Sequence, residues 1–227
     1  MKYIAHRGLS AMAPENTLAA FKLVDQKTHY HAIECDIYTT KDHQFVVFHD
    51  DTLKRMTGKK GHIMDYTYDE LKTLKIISGE GIDQYPHEHI PLLKEYLDVC
   101  QTNQKVAQIE IKKVHDMTLL SELVDLLDLY PTVDKEIISF ELNYLKYMRA
   151  LSSVSLKYLT TKLTDAHLYE CRVHELHIAI NKESVSPALV KKLKKQGFTI
   201  SVFTVDDYEE ALYLEKLGID ELTTNLL

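Results

Sequence analysis

Short runs of apolar and β-branched residues alternate with longer amphipathic runs along almost the whole chain. A strand followed by a helix, repeated in this way, is typical of parallel βαβ units. Eight strands and seven helices predict an α/β fold, a (β/α)8 TIM barrel whose last helix is missing or truncated. An open doubly wound sheet is the alternative, but no glycine-rich phosphate loop supports it. The predicted strands are Tyr3–His6, Ala32–Asp36, Val106–Ile111, Glu136–Phe140, Leu156–Thr160, Leu176–Ile180, Thr199–Thr204 and Ile219–Thr223, and the predicted helices are Thr17–Gln26, Leu92–Gln101, Met117–Leu129, Glu141–Leu151, Asp165–Cys171, Pro187–Gln196 and Tyr208–Leu217.

The composition excludes several classes of protein. Of the 227 residues, 45% are hydrophobic and 27% are charged, and the net charge of −7 comes with no cluster of Lys or Arg that would bind nucleic acid. No apolar run approaches the ~18 residues of a membrane span, and the charges within MKYIAHRG leave no room for a signal-peptide core. Three dispersed cysteines are typical of reduced thiols. We therefore expect one cytoplasmic domain over residues 1–227, without stable membrane insertion or a nucleic-acid partner, and of unknown oligomeric state.

The alternation is broken once, after Asp36. The segment IYTTKDHQFVVFH is too short for a crossover helix and predicts an extra β-hairpin arm on the second strand. A two-residue loop at Asp42 and His43, which both tolerate left-handed backbone, would pair Asp36 with His49. The hairpin would then place His49 beside the end of the second barrel strand, and a short insertion would follow at about residues 50–90.

Polar side chains share one face of the second and third predicted strands. Glu34 and Asp36 are two residues apart, as are Gln108, Glu110 and Lys112 in turn, so each set points to one side. In a barrel the helices cover the outward face, which places these side chains inside. A half-solvated antiparallel strand is the alternative for either strand alone. Three clustered carboxylates would repel one another without a proton or a cation, and all-oxygen ligands favour Mg²⁺ or Ca²⁺ over zinc.

Two histidines are expected at the same barrel mouth, since His6 ends the first strand and His49 ends the hairpin. Such a pair is typical of acid–base catalysis, although His6 could instead be a metal ligand and either could be structural. Arg7 offers a planar donor fork suited to phosphate, with a surface salt bridge as its alternative. Asn16 or Thr17 is expected to cap the first helix.

Several segments resemble the glycerophosphodiester phosphodiesterase family. AHRGLSAMAPENTLAAF, IECDIYTTKDHQFVVFHDDTLKRMTG and IEIK are similar to the family pattern HRG, PENT, ExD, TxD, VVxHD, LxRxT and ExK, in the same order and spacing. The dense match covers residues 3 to about 75 and extends through IPLLKEYLD to residue 112, whereas the second half matches only weakly.

The resemblance implies a TIM barrel with an insertion after the VVxHD strand. It also implies a phosphoric diester hydrolase that converts a small-molecule glycerophosphodiester to sn-glycerol 3-phosphate and an alcohol, with a divalent cation, Mg²⁺ or Ca²⁺. Carried over position by position, the family's metal ligands fall on Glu34, Asp36 and Glu110, its catalytic histidines on His6 and His49, and its phosphate contacts on Arg7 and Lys112.

Two positions depart from the family pattern. Phe203 stands where the family often has Trp, which keeps an aromatic wall for the substrate. Asn225 stands where it often has Asp, and with the chain ending at Leu227 the last barrel helix is expected to be missing or replaced.

Two other functions are compatible with these residues. A phospholipase-type phosphodiesterase acting on lysophospholipids or phosphatidylinositol would need an exposed apolar rim, which Tyr66, Tyr68 and Tyr85 could supply. A barrel that binds phosphodiesters without turnover is the second. The sequence leaves open which histidine is the acid, and whether water or the glycerol 2-hydroxyl is the nucleophile.

Overall fold

The computed structural model describes all 227 residues, and nine strands form one sheet. Eight of the strands are parallel and close into a ring, because β1 pairs with both β2 and β9. The third strand pairs antiparallel with β2 and lies outside the ring. The predicted barrel with a hairpin arm is therefore confirmed, and the open sheet is wrong. The strands are β1 (Lys2–Ala5), β2 (Tyr30–Thr39), β3 (Phe45–Val47), β4 (Val106–Lys113), β5 (Lys135–Ser139), β6 (Ser155–Thr160), β7 (His177–Asn181), β8 (Ile200–Phe203) and β9 (Glu221–Thr224).

Seven helices connect successive barrel strands, two short ones belong to the insertion, and none follows β9, as expected. No helix in the structure has the length and apolar character needed to cross a membrane. The helices are α1 (Leu18–Leu23), α2 (Lys54–Thr57), α3 (Tyr68–Leu71), α4 (Leu93–Asn103), α5 (Leu119–Asp128), α6 (Leu142–Leu151), α7 (Asp165–Val173), α8 (Pro187–Lys195) and α9 (Tyr208–Leu217).

The main hydrophobic core lies between the outer face of the barrel and the helices and contains 44 buried residues. The insertion shares a second core with the hairpin arm, a cluster of nine buried residues that includes Leu53 and Ile63 of the insertion and Val46 of the arm. Tyr66 and Tyr68 pack against this cluster, and the Tyr66 hydroxyl donates to the Lys60 carbonyl. These two tyrosines are therefore half-buried rather than fully exposed, as is Tyr85.

The hairpin arm has a three-residue loop rather than the predicted two-residue loop. Ile37 pairs with Val47, so Asp36 lies opposite Phe48 and not opposite His49. The longer loop needs left-handed backbone only at its last residue, His43, which has φ 64°, whereas a type I′ turn needs it at both. The predicted register was wrong by one residue, yet His49 still follows directly on the arm.

Candidate active site

Three carboxylates meet inside the barrel near the carboxyl ends of β2 and β4. Glu34, Asp36 and Glu110 are 2%, 1% and 9% exposed, and oxygens from the three lie within 4.8 Å of one another. Asp36 and Glu110 are neighbours in the parallel pairing of the two strands. A half-solvated antiparallel strand is therefore wrong for both, and the polar face points inward.

Two cations flank the acids without neutralising them. The Lys112 Nζ lies 2.8 Å from Glu110 Oε1 and 3.5 Å from Asp36 Oδ1, and Arg7 Nε lies 3.4 Å from Asp36 Oδ2. Burial works against ionisation of Asp36, but Arg7 and Lys112 outweigh it and hold its pKa below the usual value. Burial and the neighbouring carboxylates raise the pKa of Glu34 well above its usual value.

Glu110 carries the clearest sign of excess negative charge. Burial and the Asp36 carboxylate raise its pKa to about 7, even though Lys112 opposes the shift. A site of three buried oxygen ligands with charge to spare fits a hard divalent cation, because such an ion takes carboxylate oxygens and removes the repulsion.

The turn after β1 brings the main chain to the acids. Arg7 has left-handed backbone, φ 56°, and its N–H donates to Glu34 Oε2 at 2.8 Å. Gly8 follows with φ 80°, where a Cβ would lie 2.6 Å from the main chain of Ala20. The HRG sequence is therefore a turn in which glycine is required for close packing on α1.

Asn16 belongs to the site and is not the helix cap. Its Nδ2 donates to Asp36 Oδ2 at 2.8 Å, and the Asp36 N–H donates to Asn16 Oδ1 at 3.3 Å. Thr17 is the N-cap of α1, accepting from the Ala20 N–H. With two capping residues in a row only one could cap the helix, and that redundancy was the signal that could have identified Asn16.

The two histidines have different partners. His6 Nδ1 lies 2.7 Å from Asn225 Oδ1, and Asn225 donates in turn to Asp206 through its Nδ2 and main-chain N–H, each at 2.7 Å. Burial and the adjacent Arg7 lower the pKa of His6 to about 4. His49 Nδ1 instead lies 2.9 Å from Asp50 Oδ1. The departure at Asn225 therefore provides His6 with a neutral partner, where a carboxylate would have offered a charged one.

Aromatic side chains form one wall of the cavity above the acids. The rings of Phe203, predicted from the sequence, and of Phe140, which was not, are perpendicular with centroids 6.0 Å apart. The cavity is lined by both rings together with His6, Glu34 and Glu110. All eight predicted site residues lie at the barrel mouth.

Comparisons with known proteins agree with this geometry. Residues 6–226 match the profile of the Glycerophosphoryl diester phosphodiesterase family. Glycerophosphodiester phosphodiesterases of Caldanaerobacter subterraneus and Bacillus altitudinis are 32% and 30% identical, over 98% and 99% of this chain and 93% and 94% of theirs. A phosphodiesterase of Oleispira antarctica, solved with the product sn-glycerol-3-phosphate, superposes with a TM-score of 0.93 at 28% identity, covering 99% of this chain and 93% of that one. The chain therefore belongs to the glycerophosphoryl diester phosphodiesterase family, a family of phosphoric diester hydrolases.

Proposed function

We propose that the protein hydrolyses glycerophosphodiesters to sn-glycerol 3-phosphate and an alcohol at the barrel mouth. The observation that carries the proposal is the cluster of three buried carboxylates, within 4.8 Å of one another, beside His6 and between Arg7 and Lys112. The sn-glycerol-3-phosphate bound by the Oleispira antarctica phosphodiesterase supports this choice of product.

Glu34, Asp36 and Glu110 would hold the divalent cation, and their oxygen ligands suit Mg²⁺ or Ca²⁺. When bound, the cation would draw negative charge from the phosphodiester as the reaction proceeds. Asn16 keeps Asp36 in place through two hydrogen bonds. Arg7 and Lys112 are part-exposed cations beside the acids and would contact the other phosphate oxygens.

The hydrogen-bond partners favour His6 as the general base and His49 as the general acid. Asn225 directs its NH₂ group to Asp206, so its carbonyl oxygen accepts from His6 Nδ1–H and Nε2 stays free to take a proton. Asp50 offers His49 a carboxylate that accepts from its Nδ1–H, which leaves Nε2 as the nitrogen that would deliver a proton. The nucleophile whose proton His6 removes is either water or the glycerol 2-hydroxyl.

The proposal is tested by assaying a panel of glycerophosphodiesters with and without added Mg²⁺ or Ca²⁺, measuring glycerol 3-phosphate. We expect activity only with a cation, and a loss of ~10²–10⁴-fold in kcat for His6→Ala and for His49→Ala. Full activity in excess chelator, with no metal in the protein, would contradict the proposed dependence on a divalent cation. Products other than glycerol 3-phosphate would contradict the cleavage site.

Headgroup selectivity is expected to be broad. The Phe140 and Phe203 rings bring no charge to the cavity, so choline, ethanolamine and glycerol diesters should differ by about tenfold in kcat/KM, or ~1.4 kcal/mol. Replacing the glycerol by a simple alkyl group should cost more, because polar partners would be left unpaired. A thousandfold preference for one headgroup would contradict this.

Three further expectations stay predictions. The first is a single catalytic domain over residues 1–227 with an insertion at about 50–90, and the second is a small molecule rather than nucleic acid as the partner. The third is a cytoplasmic location, which the three free and buried cysteines support.

A further inference from the structure

Arg55, on α2 of the insertion, directs all of its N–H groups at protein acceptors. Its Nε and Nη2 donate to the two carboxylate oxygens of Asp50 at 2.7 and 2.8 Å. Its Nη1 and Nη2 donate to the two oxygens of Glu15 at 3.0 and 2.7 Å, and Nη1 also contacts Met56 Sδ at 3.1 Å. With its five donors used in this way, Arg55 has none left for a phosphate.

Asp50 receives both of these bonds while it accepts from His49. Its Oδ1 is shared between Arg55 Nη2, at 2.8 Å, and His49 Nδ1, at 2.9 Å. Adjacent side chains on an extended strand point to opposite sides, but the chain bends at residues 49 and 50, which lets the two meet. Asp50 could rotate away in such a bend, and the two-bond fork from Arg55 holds it in place.

Glu15 extends this hydrogen-bond network to Arg7, in the turn after β1. It comes from the connection between β1 and α1 and also accepts from Arg7 Nη1 at 2.9 Å. An unbroken series of hydrogen bonds therefore runs from Arg7 through Glu15, Arg55 and Asp50 to His49. Arg55 is its central member and ties the insertion to the turn that holds Arg7.

The network stabilises the fold to some extent, because bidentate pairs in a network exceed isolated surface pairs, but the 44% exposure of the Arg55 side chain limits that contribution. What a planar guanidinium between two carboxylates does supply is geometry, because it fixes the plane and direction of both.

We propose that Arg55 and Asp50 are positioning residues for His49, an inference that rests on the proposed role of His49 as general acid. Asp50 holds the proton on His49 Nδ1, so that the Nε2 proton faces the leaving group. As the bond between phosphorus and the leaving oxygen breaks, its electron pair goes to that oxygen, which takes the Nε2 proton. His49 is left neutral with Nδ1–H still donated to Asp50, and Asp50 stays ionised.

The kinetic test compares leaving groups of high and low pKa. Arg55→Gln should lower kcat by about 10–100-fold for an alkyl alcohol leaving group, with KM changed less than about threefold. With p-nitrophenol as the leaving group, which needs little protonation, the loss should be under about threefold. Arg55→Lys keeps the charge but not the fork and should not restore kcat.

Matched controls separate positioning from stability. Lys192→Gln removes an exposed ion pair with Asp165 between α7 and α8, neither of which contacts the hydrogen-bond series that ends at His49, and it should leave turnover of both substrates unaffected. Melting temperatures of all variants show that each is folded. An equal loss for both leaving groups in Arg55→Gln, or full recovery in Arg55→Lys, would overturn the inference.

The tautomer of the His49 imidazole can be measured without any substrate. Nitrogen-15 NMR of the imidazole, assigned with His49→Gln, should show the Nδ1–H tautomer at pH 8 in the wild type and a mixture in Arg55→Gln and Asp50→Leu. An unchanged tautomer in both variants would overturn the inference. If His49→Ala retains full kcat, the proposed function of His49 fails and this inference fails with it. If His49→Ala depends on the leaving group and Arg55→Gln does not, only this inference fails.

Discussion

Two clusters of charge lie inside this barrel, each with one more acid than cation, and they differ in how deeply their cations are buried. At the mouth, Glu34, Asp36 and Glu110 are buried while Arg7 and Lys112 beside them remain 17% and 18% exposed. Nearer the amino ends of the strands, Lys157 is 1% exposed and contacts both Glu136, at 2.6 Å, and Glu221.

The inner cluster is held together by contacts among its own members. Lys157 outweighs the effect of burial and lowers the pKa of Glu136, while burial and Glu136 raise that of Glu221, so the two carboxyls share one buried ammonium. At the mouth, the pKa values of two of the three acids, Glu34 and Glu110, are raised despite two nearby cations. Because Lys157 is enclosed with its acids whereas Glu34 and Glu110 line an open cavity, the comparison indicates that the inner cluster is structural and that the mouth can bind a further group.

The largest expected effect is on activity and is confined to the mouth. Asp36→Asn should lower kcat/KM by ~10³-fold or more, on the order of 4 kcal/mol, because it removes one of the three proposed cation ligands. The matched control is Glu136→Gln, which neutralises a buried acid of the inner cluster and should keep activity within about tenfold. Both variants are assayed as folded protein with saturating Mg²⁺ or Ca²⁺. Similar losses of kcat/KM in the two would contradict the distinction between a functional mouth cluster and a structural inner cluster.

The second effect is on stability and is confined to the inner cluster. Lys157→Met should lower the free energy of unfolding by ~3–5 kcal/mol, because it leaves two buried carboxyls without their cation. Adding Glu136→Gln and Glu221→Gln to this variant should recover much of the loss. Urea denaturation measures both, and Lys192→Met, at an exposed pair, should cost no more than ~1 kcal/mol. A loss below ~1 kcal/mol for Lys157→Met would contradict the inner cluster's structural role.

The third effect is a dependence of stability on pH. Glu110 has a folded pKa of about 7 against an ordinary value of 4.5, so without metal it favours folding below pH 4.5 and loses that contribution as the pH rises through 7. His6, lowered to about 4, changes in the opposite sense between pH 4 and 6.5. The difference in stability between wild type and Glu110→Gln isolates the first effect.

Between pH 5.5 and 8, the free energy of unfolding of the metal-free wild type should fall by ~1–3 kcal/mol relative to that of Glu110→Gln. Saturating cation should reverse the trend, since it binds the ionised carboxylates. A difference that stays constant with pH in the metal-free proteins would show that the mouth is already balanced by Arg7 and Lys112.

The sequence predicted the mouth cluster but not the inner one, although both consist of polar residues on barrel strands. Glu34 and Asp36 share one strand two residues apart, so local spacing alone puts them on one face. Glu136, Lys157 and Glu221 come from three strands, each with a single charged residue facing inward, and only the closed ring brings them together.

Contacts between distant segments explain the other differences as well. Asn16 and Arg55 have local explanations in the sequence, a helix cap and an exposed helix residue, and their roles depend on Asp36, Asp50 and Glu15 in other segments. The hairpin register depended on loop geometry, because Thr40 Oγ1 accepts from the Gln44 N–H at 2.9 Å and closes a three-residue loop. Strand order and face followed from periodicity, whereas pairings across the ring did not.

The smallest effect tests whether the two clusters are independent. Gln108 lies on β4 between them, two residues or about 7 Å along the strand from Glu110, and its Nε2 donates to Glu136 Oε2 at 2.8 Å. Gln108→Leu should lower the free energy of unfolding by ~1–2 kcal/mol, because Glu136 loses a hydrogen bond in a buried position. Its kcat should change less than about twofold, since Asp36 and Glu110 keep their own partners. A tenfold loss of kcat at unchanged cation affinity would mean that the inner charges help to set the state of the mouth, and that the barrel interior acts as one network rather than two.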